Sequence, residues 1–215
     1  MTADTGVASM ESTVWAGGKH RTIQAEPGSF ELGRIGIGME HGGLIDKKWS
    51  GYIHMFQLWV NLPSANKFDP PHFQNVMPSA VPHLELECGH VRVLHGEFQG
   101  TKSPSECDVV QWQYLDLELL PNAMIRHNIP SLMSTRLIYV YQGELSVSGT
   151  VIPSSTVASL EGDDIFEARA GNDGAGLLFI AGAPIGEVPV QHGPFVMSSR
   201  EQIVQAFHEF QRGDL

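Results

Sequence analysis

The histidines and carboxylates of this chain are its candidate metal-binding residues. The chain has ten histidines, and His83, Glu85 and Glu87 alternate along one stretch. Alternate residues of a strand point to the same face, so these side chains could bind a metal ion weakly, although an exposed polar strand face explains the pattern equally well. His90 and His95 are five residues apart, so on one continuous strand they would face opposite sides. We therefore expect these two histidines to be a poor pair of ligands.

The sequence has no motif of a nucleophilic or nucleotide-binding enzyme. It contains neither a Gly-x-Ser-x-Gly elbow nor a phosphate-binding loop. Cys88 lies two residues before His90, which could form a Cys–His couple but is also common by chance. Cys88 and Cys107 are the two cysteines of the chain, and neither belongs to a Cys-x-x-Cys motif. We interpret both as free thiols in a reducing compartment.

The composition is that of a folded, acidic protein. Of the 215 residues, 42% are hydrophobic and 17% are charged, and the formal net charge is −11. Nucleic-acid binders usually carry a basic patch, so direct DNA binding is disfavoured. No apolar run approaches the roughly 20 residues of a membrane helix, and the first residues do not read as a secretory signal. We expect a cytoplasmic protein that is small enough to enter a nucleus as well.

Short apolar runs separated by glycine and proline predict strands over most of the chain. The candidates are 56–62, 91–98, 113–120, 136–141, 144–147, 151–152 and 177–180. Strands at this spacing indicate a sandwich or a barrel. The dipeptide Gln142-Gly143, between two of them, is typical of a hairpin turn.

A helix is predicted only at the end of the chain. Ser198 or Ser199 can cap it, and Gly213 ends it. Its apolar stripe consists of Ile203, Val204, Phe207 and Phe210. We expect the stripe to pack against the β domain, and a partner-binding helix is the alternative.

Proline content suggests where the chain divides into domains. The segment 63–82 contains five prolines, too many for one regular element, and we interpret it as the connection between two domains. We therefore expect a disordered N-terminus over 1–18, a partial N-terminal domain with this connection over 19–82, and a C-terminal domain with the closing helix over 83–215.

Four stretches of the chain resemble the pirin family, a group of two-domain cupin proteins. The first runs from Pro27-Gly28 to Glu40-His41. The second is Gln-Leu-Trp-Val-Asn-Leu-Pro at 57–63, and the third is the barrel region 91–181. The fourth is the Gly- and Pro-rich segment 182–197, in which the family's Glu-Pro-Val is replaced by Glu187-Val188-Pro189. Together these stretches cover nearly all of residues 19–211, and the second and fourth are specific.

The resemblance implies an all-β double cupin, built from jelly-roll barrels, with an incomplete N-terminal barrel and a short C-terminal helix. It also implies iron or another divalent metal, held in the N-terminal barrel by three histidines and one glutamate. His41 stands at the third histidine position and Gly43 at the glutamate position, and the chain contains no His-x-His pair. Stable sites need three or four protein ligands. The metal site at His41 is therefore predicted to be vestigial or partial.

Two alternatives would restore a metal site. His20, His41 and His54 or Glu40 could rebuild a different one, or a partner subunit could supply ligands. The open edges of an incomplete barrel also predict a homodimer formed through the N-terminal half.

Three functions follow from the resemblance and stay open at this point. The first is a non-catalytic regulatory protein that binds a protein partner such as a transcription factor. The second is a quercetin 2,3-dioxygenase-like enzyme that depends on iron. The third is a small-molecule binding protein that uses the C-terminal barrel, with Trp112, Tyr139 and Tyr141 lining or filling the pocket.

Overall fold

The structure, a computed structural model, describes residues 10–16, 19–45 and 54–214. Most of the ordered elements are strands, and the all-β expectation is confirmed. The strands are β1 (Met10–Ala16), β2 (Lys19–Ala25), β3 (Phe30–Arg34), β4 (Glu40–Ile45), β5 (His72–Val76), β6 (His83–Leu86), β7 (Gly89–His95), β8 (Glu97–Phe98), β9 (Thr101–Lys102), β10 (Trp112–Leu119), β11 (Met124–Asn128), β12 (Thr135–Val147), β13 (Thr150–Pro153), β14 (Thr156–Ser159), β15 (Ile165–Gly182), β16 (Val190–His192) and β17 (Phe195–Met197). Helix α1 covers Arg200–Arg212, and short 3₁₀ turns cover Ser64–Asn66 and Pro78–Ala80.

The chain forms two compact units. One contains the described residues of Met1–Pro78 together with those of Ile185–Leu215, and the other is Ser79–Pro184. We call them the first and the second unit. The boundary after Pro78 falls inside the proline-rich segment, and the closing helix groups with the first unit. The domain division predicted from the sequence, with the helix in the C-terminal domain, stays a prediction.

The second unit is built on an eight-stranded antiparallel sheet. Its strand order is β13-β12-β15-β10-β7-β6, with β11 paired to β15 and β14 paired to β12. Alternate residues of each strand face one buried apolar cluster, as the two-residue period of a strand requires. The fully buried members include Val91, Val93, Leu115, Leu177 and Phe179.

The first unit contains smaller sheets and the helix. Strands β2, β1 and β4 form one sheet, and two further pairs are β3 with β5 and β16 with β17. Ile203 and Ala206 of α1 are buried in a cluster with Met197. The Ser199 hydroxyl accepts a hydrogen bond from Gln202 N at 3.3 Å, which confirms the predicted cap.

Three sequence expectations differ from the structure. Residues 56–62 alternate like a strand but form no ladder with described residues, and Trp59 is 56% exposed. Gln142-Gly143 is not a hairpin turn, because β12 continues through it. Gly143 has φ +66°, and a Cβ there would clash with Gly174 O of β15, so this glycine marks a β-bulge.

The third difference concerns residues 1–18, which were expected to be disordered. Met10–Ala16 forms β1, paired on one side with β2 and on the other with β4. Pairing with strands that come later in the chain supplies the hydrogen bonds that local sequence does not reveal. Residues 1–9, 17 and 18 lie outside the described residues.

Two smaller expectations can also be checked. Cys88 and Cys107 are both free thiols, as predicted. Within the part of the chain that the structure describes, no helix has the length and apolar character needed to cross a membrane.

Candidate functional site

His41 lies on β4 of the first unit with its side chain exposed. Backbone pairing places it opposite Val14 of β1. Gln57 Nε2 lies 3.3 Å from His41 Nε2. An amide NH₂ group only donates, so His41 Nε2 accepts this hydrogen bond with the lone pair that a metal ion would need.

The residues next to His41 on β4 do not complete a ligand set. Gly43 offers no side-chain donor atom at all. Glu40 directly precedes His41, and consecutive residues of a strand point to opposite faces. Glu40 and His41 are therefore badly placed to bind one ion from a regular strand.

The other residues considered for a rebuilt site are not gathered around His41. The His54 ring packs against Phe56, with 4.4 Å between the ring centroids. The backbone of His20 pairs with Trp15, and the His20 side chain lies outside the described residues. Among the side chains that are described, His41 belongs to no group of three potential metal ligands.

A different group of potential ligands lies on the β6–β7 hairpin of the second unit. Leu86 pairs with Gly89 across a two-residue turn, which places His90 directly opposite Glu85. His83 Nε2 lies 3.0 Å from Glu85 Oε1, and the rings of His83 and His90 stack with centroids 4.8 Å apart. One ligand atom from each of the three residues lies within 4.8 Å of the others. We call His83, Glu85 and His90 the hairpin cluster.

Strand β10 supports the hairpin cluster from the other side of β7. Glu118 pairs with His90 in the register, and Glu118 Oε2 lies 3.2 Å from His90 Nε2. Two residue pairs further along, and so on the same face, Arg92 forms an ion pair with buried Asp116 at 3.3 Å. The Tyr141 hydroxyl donates to the other oxygen of Asp116 at 2.8 Å, and burial together with this carboxylate raises the pKa of Tyr141. This face of the sheet therefore carries an ordered row of polar side chains.

A polar pair also lies among the apolar side chains of the second unit. His127 is 7% exposed, and its Nε2–H donates to Gln113 Oε1 at 2.8 Å. The Gln113 amide in turn donates to Glu97 O, which fixes the orientation of the amide and hence the tautomer of His127. The ring contacts Phe98 and Phe179, and burial lowers the pKa of His127 to about 4. His127 is therefore neutral at physiological pH.

His95 is a second buried histidine, on a different part of the same unit. Its ring stacks on Trp112 with centroids 4.3 Å apart. Ser105 Oγ gives its proton to Leu94 O at 2.9 Å, so it accepts from His95 Nδ1–H at 2.8 Å. Burial lowers the pKa of His95 to about 4. His95 and Ser105 form a satisfied structural contact, with the serine proton already committed to the backbone.

A buried lysine links two stretches of the first unit that are far apart in the sequence. Lys67 is 5% exposed, and its Nζ donates to Asn61 Oδ1 and, at 2.8 Å, to Val196 O. Glu187 accepts hydrogen bonds from the backbone N and the hydroxyl of Ser64. Burial lowers the pKa of Lys67, and the nearby Glu187 carboxylate opposes this shift. Lys67 and Glu187 therefore stabilise the structure of the first unit.

Comparison with known proteins places these features in a family. The profile of the pirin C-terminal cupin domain matches residues 114–215. A pirin-like protein of Caulobacter vibrioides is 33% identical to this chain, over 87% of the chain and 67% of that protein. This chain belongs to the pirin family. It spans 57% to 68% of the length of three curated relatives that it matches, so it corresponds to only part of each of them.

Solved structures share the fold of this chain. A quercetin 2,3-dioxygenase from Acinetobacter baumannii has a TM-score of 0.79 and 26% identity, over 96% of this pirin and 75% of that chain. The bacterial pirin YhhW from Escherichia coli, solved in complex with nickel(II), has a TM-score of 0.55 and 15% identity, over 83% of this pirin and 78% of that chain. The second likeness shows the fold alone.

The described residues around His41 do not fit the ligand set of three histidines and one glutamate implied by the pirin resemblance. Gly43 has no donor atom, and the His41 lone pair already accepts from Gln57. No step of a metal-dependent reaction can therefore be derived from the residues that this pirin places there.

Sequence reasoning missed how the hairpin cluster assembles. The alternating pattern predicted a group of His83, Glu85 and Glu87. Glu87 lies beyond the end of β6, and the third member of the group in the structure is His90. A two-residue turn pairs positions five apart, so a hairpin reading of 85–90 would have found the contact. His127 with Gln113 gave no sequence signal, because their contact depends on the pairing of both β10 and β11 with β15.

Proposed function

We propose that this pirin is a non-catalytic regulatory protein that acts by binding another protein. The observation that carries the proposal concerns two residues near His41. Gly43 has no side chain that could bind a metal ion, and Gln57 donates a hydrogen bond to Nε2 of the His41 imidazole. The net charge of −11 favours a protein partner, such as a transcription factor, over direct contact with nucleic acid.

Exposed apolar side chains offer a place for such a partner. Met55, Trp59 and Val60 are 61%, 56% and 39% exposed, and they lie close together in the sequence of the first unit. Large apolar and aromatic side chains that stay exposed are enriched at protein interfaces. We call residues 55–60 the apolar segment.

The second candidate function is a quercetin 2,3-dioxygenase-like reaction that depends on iron or another divalent metal. The likeness to the Acinetobacter baumannii enzyme, over 96% of this chain, favours it. Such chemistry requires a bound metal with open coordination positions. Ligands outside the described residues, or from a partner subunit, would have to complete the site at His41.

The third candidate, a ligand pocket inside the C-terminal barrel, has less support. The interior of the second unit is filled by its apolar cluster, in which Leu115, Leu177 and Phe179 are at most 1% exposed. Trp112 stacks on His95, and the Tyr141 hydroxyl binds Asp116. These two aromatic side chains therefore have partners within the protein.

Quercetin turnover separates the first two candidates. The purified chain is incubated with Fe(II), Ni(II) or Cu(II) and quercetin, and loss of the flavonol is compared with the metal alone. We expect no loss above the metal control. Turnover that disappears in His41→Ala but persists in His208→Ala, an exposed histidine of α1, would refute the proposal and establish the enzyme.

Partner capture tests the proposal directly. Immobilised protein is used to capture partners from a lysate, and the wild type is compared with Trp59→Ser and with Leu132→Ser, a 70% exposed control in the second unit. We expect Trp59→Ser to weaken capture and Leu132→Ser to leave it unchanged. Equal capture by all three would count against the apolar segment. The homodimer through the N-terminal half stays a prediction, which light scattering after size exclusion can test.

A further inference from the structure

The hairpin cluster has the composition of a metal site and lies far along the chain from His41. It combines two imidazoles and a carboxylate, with the ligand atoms of His83, Glu85 and His90 within 4.8 Å of one another. Imidazole and carboxylate together suit Zn²⁺, Ni²⁺ and Cu²⁺ rather than Mg²⁺ or Ca²⁺. It is the one group of three such ligands among the residues that the structure describes.

We propose that the hairpin cluster binds one divalent transition-metal ion, with zinc as the reference ion. This site is separate from the family position at His41 and does not depend on the proposed function. The cluster belongs to two hydrogen-bonded strands joined by a two-residue turn, so its backbone is fixed before an ion arrives.

The side chains have the freedom needed to close around an ion. Ligand atoms in a tetrahedral zinc site lie about 3.3 Å apart, given bonds of about 2.0–2.1 Å. The cluster must therefore contract by about 1.5 Å at its widest contact. The side chains of His83 and Glu85 are 46% and 82% exposed, so rotation about their χ angles meets little packing.

Glu118 acts as the positioning residue for His90. It accepts from His90 Nε2–H at 3.2 Å across β7 and β10, which leaves Nδ1 of the same ring as the nitrogen able to bind an ion. Carboxylates that hold the second nitrogen of a histidine ligand fix its tautomer and raise its basicity. The side chains of His90 and Glu118 are 29% and 26% exposed, so this half of the site is the better ordered one.

The charge around the cluster also favours a cation. Glu85 contacts His83 and Glu118 contacts His90, and Arg92 on the next strand position of the same face is paired with Asp116. An acidic environment of this kind raises the local concentration of metal ions.

Zinc binding to the untagged chain tests the proposal. Competition with a chromophoric zinc chelator gives the stoichiometry and affinity for the wild type, His83→Ala, His90→Ala and Glu85→Gln. We expect one ion per chain and a loss of at least about tenfold in affinity for each variant, since even supporting residues of metal sites are worth about 10–100-fold. Glu118→Gln should weaken binding less than His90→Ala does.

Two matched controls separate this site from other histidines. His208→Ala removes an exposed histidine of α1, and His41→Ala removes the family position. Both should bind zinc like the wild type. Unchanged affinity in both His83→Ala and His90→Ala would overturn the proposal, and so would equal losses in His208→Ala.

Copper(II) gives a second readout that a structural defect does not imitate. The electron paramagnetic resonance spectrum of the wild type should show hyperfine coupling to two nitrogens. His90→Ala should show coupling to one. Because the Glu85 side chain is 82% exposed, Glu85→Gln should fold normally and still lose affinity. A wild-type spectrum with oxygen ligands only would refute the site.

Discussion

Acidification should destabilise the second unit through His127 and His95. Burial lowers the pKa of each to about 4, whereas an unfolded histidine titrates near its ordinary value of 6.5. Between these values the unfolded chain binds more protons than the folded chain, so stability falls as the pH falls. The stability that the two neutral histidines confer is complete above the unfolded value and is lost as the pH approaches 4.

The size of the effect follows from the linkage relation. From about pH 7 to about pH 4.5, each histidine should cost about 2.5 kcal/mol and the two together about 5 kcal/mol. This is a large share of the 5–15 kcal/mol that holds a typical domain folded. The physical cause is that protonation of Nδ1 of His127 would place a charge among Phe98 and Phe179.

Urea unfolding at the two pH values, followed by far-ultraviolet circular dichroism, measures the loss. The informative variant is His127→Phe with Gln113→Leu, because replacing both partners avoids leaving the Gln113 carbonyl unpaired. It should lose about 2.5 kcal/mol less on acidification than the wild type. His208→Ala, exposed on α1, should behave like the wild type. An identical acid loss in the double variant would refute the reasoning.

Three further predictions concern single residues that the fold depends on. Gly89→Ala should lower the free energy of unfolding by more than about 2 kcal/mol, because φ is +136° and a Cβ would clash with Glu118 O. Gly100→Ala, the control, should lower it by only about 1 kcal/mol, and urea unfolding measures both. Lys67→Met should cost about 2–3 kcal/mol and make residues 185–197 more sensitive to protease, since two partly buried acceptors lose their donor. Normal protease resistance would contradict this. Ser199→Ala should lower stability by about 1 kcal/mol through loss of the cap, and Ser199→Asp should restore it.

Elements with strong local signals were predictable from the sequence. The helix has a capping serine and Gly213 at its ends, and both signals act over one to four residues, so the sequence determines them locally. The predicted apolar stripe is only partly confirmed, because Ile203 is buried whereas Val204 and Phe210 are 54% and 46% exposed. The interior strands were equally clear because alternation follows from the geometry of a strand itself. The Gly143 bulge was misread as a turn, since a glycine at positive φ suits either, and only the pairing of β12 with β15 decides between them.

The same distinction between local signals and long-range contacts applies to the candidate sites. The all-β class, the pirin resemblance and the prediction that Gly43 removes a metal ligand all came from the identity and order of the residues alone. Only the tertiary structure brought His90 to Glu85 and Glu118, and His127 to Gln113, because these contacts cross strands whose register is set by long-range pairing. The sequence of a strand determines which of its side chains share a face. Which side chains of the neighbouring strands they contact depends on the register of the sheet.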